Sequence, residues 1–383
     1  MILAGTRNGF EHVKGQTVIH QESTEGNAMS MRPDTMNNKE RINALLKGKP
    51  IDRVPFFPFI PGFCARNVGY PIAAMYSDAG KSFDAQLKTM EQYGFDWGPL
   101  YGYASYGTWE FGGTVKMPAG DYEQAPAHIT FPVQSEADVS RLQLPDAKKA
   151  GCLPTAMAFS QLQDKSGMPV SIICGGNFTI AGNICSVETL CRWMLKKPDL
   201  VHELLRLATD HIVDVVRYWV ETFGAERVIP QMWEPSAANY IVSPKQFERF
   251  VLPYFQESSA RILAMGVKHI LYHICGEQNA NLPYWAQIPM GDPGIASIGE
   301  EIDADTAIKY FGDTCIIVGN IDGKVILEGT PESLYRLCAE TITKLKYAPR
   351  GYMLCSGCEI PPNSPPYNVY VMRKALNDVG WYD

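Results

Sequence analysis

Short apolar runs recur from the first third of the chain to its end: "HITFPV", "VSIICGG", "RVIPQMW", "VKHILYHI", "GIASIG", "TCIIVGNI" and "GYMLCSG". Each is nearly continuous rather than alternating. A strand that is apolar at successive positions is buried on both faces, the condition of a parallel sheet covered by helices. Most of the runs are separated by stretches with apolar residues at helical spacing. One extends from Val187 to Gly224, with Pro198 marking a break. A second opens with Ser243 as N-cap and Pro244 at the first helical position, and a third with Thr330 as cap and Glu332 in the first turn. Lys39 to Leu46 reads as a short helix stopped by Gly48 and Pro50, with a strand starting at Val54.

Repeated strand–helix units with no second composition class predict a single α/β domain, a (β/α)8 TIM barrel, over residues 37–383. An open doubly wound sheet is the alternative, but no G-x-G-x-x-G follows the first strand. Residues 1–36 are polar and aperiodic and are expected to form a flexible N-terminal extension. At 383 residues the chain has a length that α/β barrels reach as one unit.

A net charge of -7 gives no footprint for a nucleic-acid partner. Neither a polybasic membrane patch nor the apolar core of a signal peptide is visible, and the apolar stretch "VPFFPFIPGF" is interrupted by prolines. The ten cysteines are therefore expected in a reducing cytoplasm, not in a disulfide framework. Cys174 and Cys315, inside β-branched runs, read as core.

In a barrel of this kind the chemistry sits at the C-terminal ends of the strands. The residues just after the apolar runs are Asn177, Glu234, His273, Cys275, Glu300, Asn320, Asp322, Cys355 and Cys358. His273 and Cys275 stand one residue apart in "LYHICG", and the last run ends in a Cys pair. An imidazole and two thiolates suit zinc, and three protein ligands leave a fourth position for substrate. An isolated H-x-C carries little weight by itself, and a close Cys pair also fits redox chemistry. Glu234 and Glu300 are candidates for a fourth ligand or for orienting substrate; the plainer reading of each is a solvated or salt-bridged carboxylate.

The segments "NNKERINALLKGKPIDRVPFFPF", "GGNFTIAG", "LYHICG", "VGNIDGKVILEGTPESL" and "GCEIPPNSPPYNV" resemble the uroporphyrinogen decarboxylase superfamily, and within it the corrinoid-dependent methyltransferase branch. The resemblance runs in order from about Asn37 to the C-terminus and implies a (β/α)8 barrel. It implies that His273, Cys275 and Cys358 are zinc ligands, with Cys355 a buried neighbour. The decarboxylases carry an Arg-rich motif after the first strand; here "PFIPGFCARNVGYP" has only Arg66, which speaks against decarboxylation of a polyacidic porphyrinogen.

The expected activity is methyl transfer between a substrate heteroatom and the cobalt of a corrinoid. No D-x-H-x-x-G motif is present, so the corrinoid (cobalamin) is expected on a separate partner protein. The rings of "PFFPFIPGF" and "LYGYASYGTWEFGG", with Phe63, Tyr103 and Trp233 foremost, predict an aromatic cup for an aryl methyl ether such as a methoxyphenol, with Glu234 as the catalytic carboxylate. Such rings equally suit the core or a protein contact. The alternative activity is methylcobamide:thiol transfer of the coenzyme M type. A corrinoid-binding protein and a non-catalytic assembly subunit are readings of a different class, and metal content separates them from an enzyme.

Overall fold

The computed structural model describes residues 32–382. Two strands form an antiparallel hairpin, β1 (Thr114–Lys116) and β2 (Ala127–Thr130). Six more form one parallel sheet in sequence order: β3 (Val170–Ile173), β4 (Val228–Trp233), β5 (Leu271–Ile274), β6 (Gly294–Ile298), β7 (Cys315–Ile321) and β8 (Tyr352–Ser356). These are the six apolar runs from "VSIICGG" onward, and β3, β5, β6 and β8 are buried at every position. The seventh run, "HITFPV", departs from expectation. It supplies β2, whose residues are all exposed; the run is a surface hairpin strand, not a buried stave.

Two further segments complete the arrangement without regular ladders. Around Phe56 the chain pairs in parallel with β8: Phe57 N donates to Leu354 O and Leu354 N to Pro55 O. On its other side Phe56 O accepts from Asp96 N. From there to Leu100, side chains take the place of ladder partners. Gln86 bonds both the N–H and the C=O of Leu100, and Gln163 donates to Pro99 O while accepting from Ser171 N of β3. Buried backbone groups must be paired, and here two amides pair them. The strand expected from Val54 is thus an irregular stave.

Side chains alternate between two layers. Ile229, Leu271, Ile295, Ile316 and Met353 point inward, while the opposite faces pack against the surrounding helices. The expected helices are present, with the break before Pro198 between Val187–Lys196 and Pro198–Phe223. Ser243 and Thr330 cap Pro244–Phe250 and Pro331–Leu345. Cys174 and Cys315 are buried, as expected.

Residues 1–31 of the expected extension lie outside the described residues. Its last part is tied down: the Asp52 carboxylate accepts from Thr35 N and Met36 N, and Asp34 pairs with Arg53. The same group of charges includes Arg41, Arg53 and Asp96, all nearly inaccessible to solvent. Asp96 also accepts from Phe56 N, so this network fixes the start of the first stave. Among the described residues no helix is long and apolar enough to cross a membrane.

Candidate metal centre

Strand register assembles the site. Trp233 lies opposite His273 and His273 opposite Ser297, so three neighbouring strands place these inward-facing side chains in one layer at their C-terminal ends. Ser297 Oγ is 3.0 Å from His273 Nδ1, while Nε2 is buried and has no partner among the described residues. Immediately after β5, Gly276 at φ +76° turns the chain and leaves Cys275 at the mouth. Cys358 arrives from the loop after β8. One ligand atom each from His273, Cys275 and Cys358 lies within 4.8 Å of the others.

The electrostatics of the three are coupled. The Cys275 thiol beside Cys358 holds the Cys358 thiol well below the usual range, and the neighbouring His273 adds to this. Cys275 moves the other way, raised by its interaction with Cys358, by burial and by the charges of Glu300 and Glu301. One thiolate beside an orphaned imidazole nitrogen and a second thiol is a donor set that fits a soft divalent ion such as zinc. Cys355 is buried on the inward face of β8 and stands outside this cluster.

The carboxylates have other surroundings. Glu300 stands outside the three-residue cluster but is pressed against its loop, because a Cβ at Gly357 would collide with Glu300 Oε2. Burial raises its carboxyl, as do Glu301 and Asp322 beside it. Glu234 is fully buried and faces the start of the helix Asn177–Cys185, where it accepts from Phe178 N and Thr179 N at 3.0 Å each and from the Thr179 hydroxyl. Burial pushes its carboxyl up to about 7. In this arrangement Glu234 holds a helix end, and its carboxylate oxygens face that helix. Asn177 donates to Thr209, and Asn320 to the carbonyls of Gly299 and Ile302, so both brace the fold.

The aromatic residues separate into two groups. Trp233 packs edge-on against Phe59 and lies 5.5 Å from the His273 ring. Phe63 instead packs on Tyr93 in the outer core. Tyr103 packs on Tyr76, and its hydroxyl donates to the buried Glu110. Of the predicted rings and their neighbours, Phe57, Phe59 and Trp233 border one space beside His273, while Phe63 and Tyr103 do not. Sequence reasoning passed over two inward-facing residues, Ser297 and Gln231. Their only signal was a polar side chain on the inward phase of an apolar strand.

The profile of the family "Uroporphyrinogen decarboxylase (URO-D)" matches residues 37–379. A methylcobamide:CoM methyltransferase from Methanosarcina barkeri is 27% identical over 364 residues, covering 89% of this chain and 97% of that protein. Another from Methanosarcina acetivorans is 26% identical, covering 87% and 96%. A uroporphyrinogen decarboxylase from Salinibacter ruber is 23% identical, covering 74% and 81%. Among solved structures, a methyltransferase from Methanosarcina mazei superposes with a TM-score of 0.75 at 23% identity, covering 90% and 99% of the two chains. The chain belongs to the uroporphyrinogen decarboxylase family, and methyltransferases of that family are among its relatives.

Proposed function

We propose that the chain is a zinc-dependent methyltransferase that moves a methyl group between the cobalt of a corrinoid carried by a separate protein and the sulfur of a small thiol. The observation that carries the reading is the meeting of one His273 ring nitrogen, Cys275 Sγ and Cys358 Sγ at the mouth of the sheet. Decarboxylation of a polyacid fits poorly. Arg66, the only Arg of its segment, is exposed and donates to the Asp121 carbonyl.

A thiol is favoured over an aryl methyl ether for one reason. Two of the relatives named above, from Methanosarcina barkeri and Methanosarcina acetivorans, are methylcobamide:CoM methyltransferases, and a thiol acceptor keeps to their chemistry.

His273, Cys275 and Cys358 would hold the ion, whose chemistry there is Lewis acidity that keeps an incoming thiol deprotonated at neutral pH. Ser297 orients His273 through Nδ1, so that Nε2 faces the ligand position. Trp233 and Phe59 close the floor and keep bulk water from the reacting sulfur. The thiolate then attacks the methyl carbon in line: the sulfur–carbon bond forms as the cobalt–carbon bond breaks, and the bonding pair remains on cobalt.

The test supplies the purified chain with methylcobalamin and 2-mercaptoethanol, and separately with reduced cobalamin and a methoxyphenol. Expected are loss of the methylcobalamin spectrum with appearance of the methyl thioether, abolition by a chelator, and no methyl transfer from the phenol ether. Methylation of cobalt by the methoxyphenol, with no reaction of the thiol, overturns the reading.

A further inference from the structure

The last apolar run ends in "CSGC", and a Cys-x-x-Cys spacing is the usual place to look for a redox pair. The structure separates these two sulfurs. Cys355 is buried on the inward face of β8, lines the small space beside His273 and has Ser356 Oγ 3.9 Å from its sulfur. Cys358 is exposed and meets Cys275 instead, the two sulfurs standing within 4.8 Å of each other. The close pair is thus made across the mouth, between the chain just after β5 and the loop after β8.

Accessibility singles out the same two residues. Seven of the ten cysteines are buried, Cys191 and Cys275 are partly exposed, and Cys358 is the one exposed thiol among the described residues. Cys191 lies in the helix Val187–Lys196, outside the cluster. An oxidant arriving from solvent therefore reaches Cys358 first, and the thiol beside it is Cys275. Exposure of one sulfur and a resolving thiol next to it are the two properties that redox-active cysteines combine. A disulfide bond is about 2 Å long, so closing the pair requires the exposed Cys358 side chain to swing toward Cys275.

We propose that Cys275 and Cys358 form a reversible disulfide under a peroxide, and that this bond and the metal exclude one another. In the first step the peroxide oxidises the Cys358 thiol to a sulfenic acid and releases one water. The Cys275 sulfur then attacks the Cys358 sulfur. The sulfur–sulfur bond forms, the sulfur–oxygen bond breaks, and the hydroxyl leaves with the Cys275 proton as a second water. Two thiols are oxidised and one peroxide is reduced. Metal ligation needs thiolates, so the oxidised site keeps His273 alone of its three donors. Conversely, both sulfurs are shielded from the oxidant while they hold an ion. A thiol reductant reopens the bond by exchange.

The experiment treats the purified chain with hydrogen peroxide, once after a chelator has removed metal and once after loading with zinc. Each sample is then alkylated, digested and mapped by mass spectrometry. Expected in the metal-free chain is a pair of peptides joined through Cys275 and Cys358, released again by dithiothreitol. The zinc-loaded chain is expected to form this bridge several-fold more slowly. Zinc uptake, read by competition with a chromophoric chelator, should be lost in the oxidised chain and return on reduction. Cys275→Ser and Cys358→Ser should each abolish the bridge, whereas Cys191→Ser and Cys355→Ser should leave it, with a thermal melt establishing that each variant is folded. A bridge between Cys355 and Cys358, or oxidation of Cys358 to a sulfinic acid with no bridge, overturns the inference and leaves the proposed methyl transfer standing. A bridge between Cys275 and Cys358 that leaves zinc uptake unchanged overturns both the exclusion and the ligand assignment.

Discussion

Ser297 on β6 faces His273 on β5 across one ladder position, with Oγ 3.0 Å from Nδ1. The contact decides which imidazole nitrogen is available: with Nδ1 engaged, Nε2 is left as the donor toward the two cysteines. It also fixes the ring's rotation, because Nδ1 is held from the neighbouring strand.

Removing that hydroxyl should loosen the metal without unfolding the chain. Partners that orient a ligating His typically contribute about 10–100-fold to metal affinity. Ser297→Ala is expected to weaken zinc binding within that range, read by competition with a chromophoric chelator, with a thermal midpoint close to wild type. Zinc affinity unchanged in Ser297→Ala argues that ring packing against Trp233 alone positions His273.

The cysteines divide by location. Cys275 and Cys358 meet His273 at the mouth, whereas Cys355 is buried on the inward face of β8. Cys275→Ala and Cys358→Ala should lose most of the expected single zinc, and Cys355→Ala should retain it at a stability cost of about 1 kcal/mol. Metal analysis after desalting, with denaturant melts alongside, separates the two effects. Equal metal content in the three variants overturns the ligand assignment.

How much of this was legible in the sequence follows from which physical signal each element leaves. The strands from β3 to β8 read clearly because burial on both faces makes them continuous apolar runs. The stave at Val54 was expected, but the segment from Asp96 to Leu100 was not, since its pairing depends on Gln86 and Gln163, whose roles as backbone partners leave no periodic trace. "HITFPV" misled because a β-branched run in an exposed hairpin has the composition of a buried strand. His273, Cys275 and the pair Cys355 and Cys358 were legible as candidate soft ligands at strand ends, and the family resemblance pointed to Cys358, which the structure brings beside the first two. Phe63 and Tyr103 were not separable from Trp233, because a ring in the core and a ring at the rim look alike until register is known. Glu234 followed Trp233 at a strand end, the expected place for a catalytic group, yet the start of the helix Asn177–Cys185 takes up its carboxylate.

The charge network at the first stave should matter for stability and not for metal. Asp96 contacts both Arg41 and Arg53 and accepts Phe56 N, with all three charged side chains buried. Removing one member of such a group strands the others, at a typical cost of about 3–5 kcal/mol. Asp96→Ala is expected to lower unfolding free energy by that amount in urea while leaving zinc stoichiometry unchanged in the folded fraction. A loss below about 1 kcal/mol shows that water reaches the two guanidinium groups once the carboxylate is gone.

Glu234 gives stability a pH dependence whose sign is fixed by its surroundings. Burial pushes its carboxyl up to about 7, against the opposing pull of the Thr179 hydroxyl and the backbone N–H groups of Thr179, Phe178 and Ala237. An unfolded Glu titrates near its ordinary value, roughly 4.3. Between those two values the folded chain binds a proton that the unfolded chain has released. Stability from this group is therefore fully present below about pH 4.3 and is lost as pH rises through about 7. Gln at the same position does not titrate. The unfolding free energy of wild type minus that of Glu234→Gln, measured in urea from pH 5 to pH 8 with both proteins free of metal, is expected to fall steadily and level off above neutrality. A difference that rises with pH would mean that the N–H donors outweigh burial and that Glu234 stands ionised at the helix start.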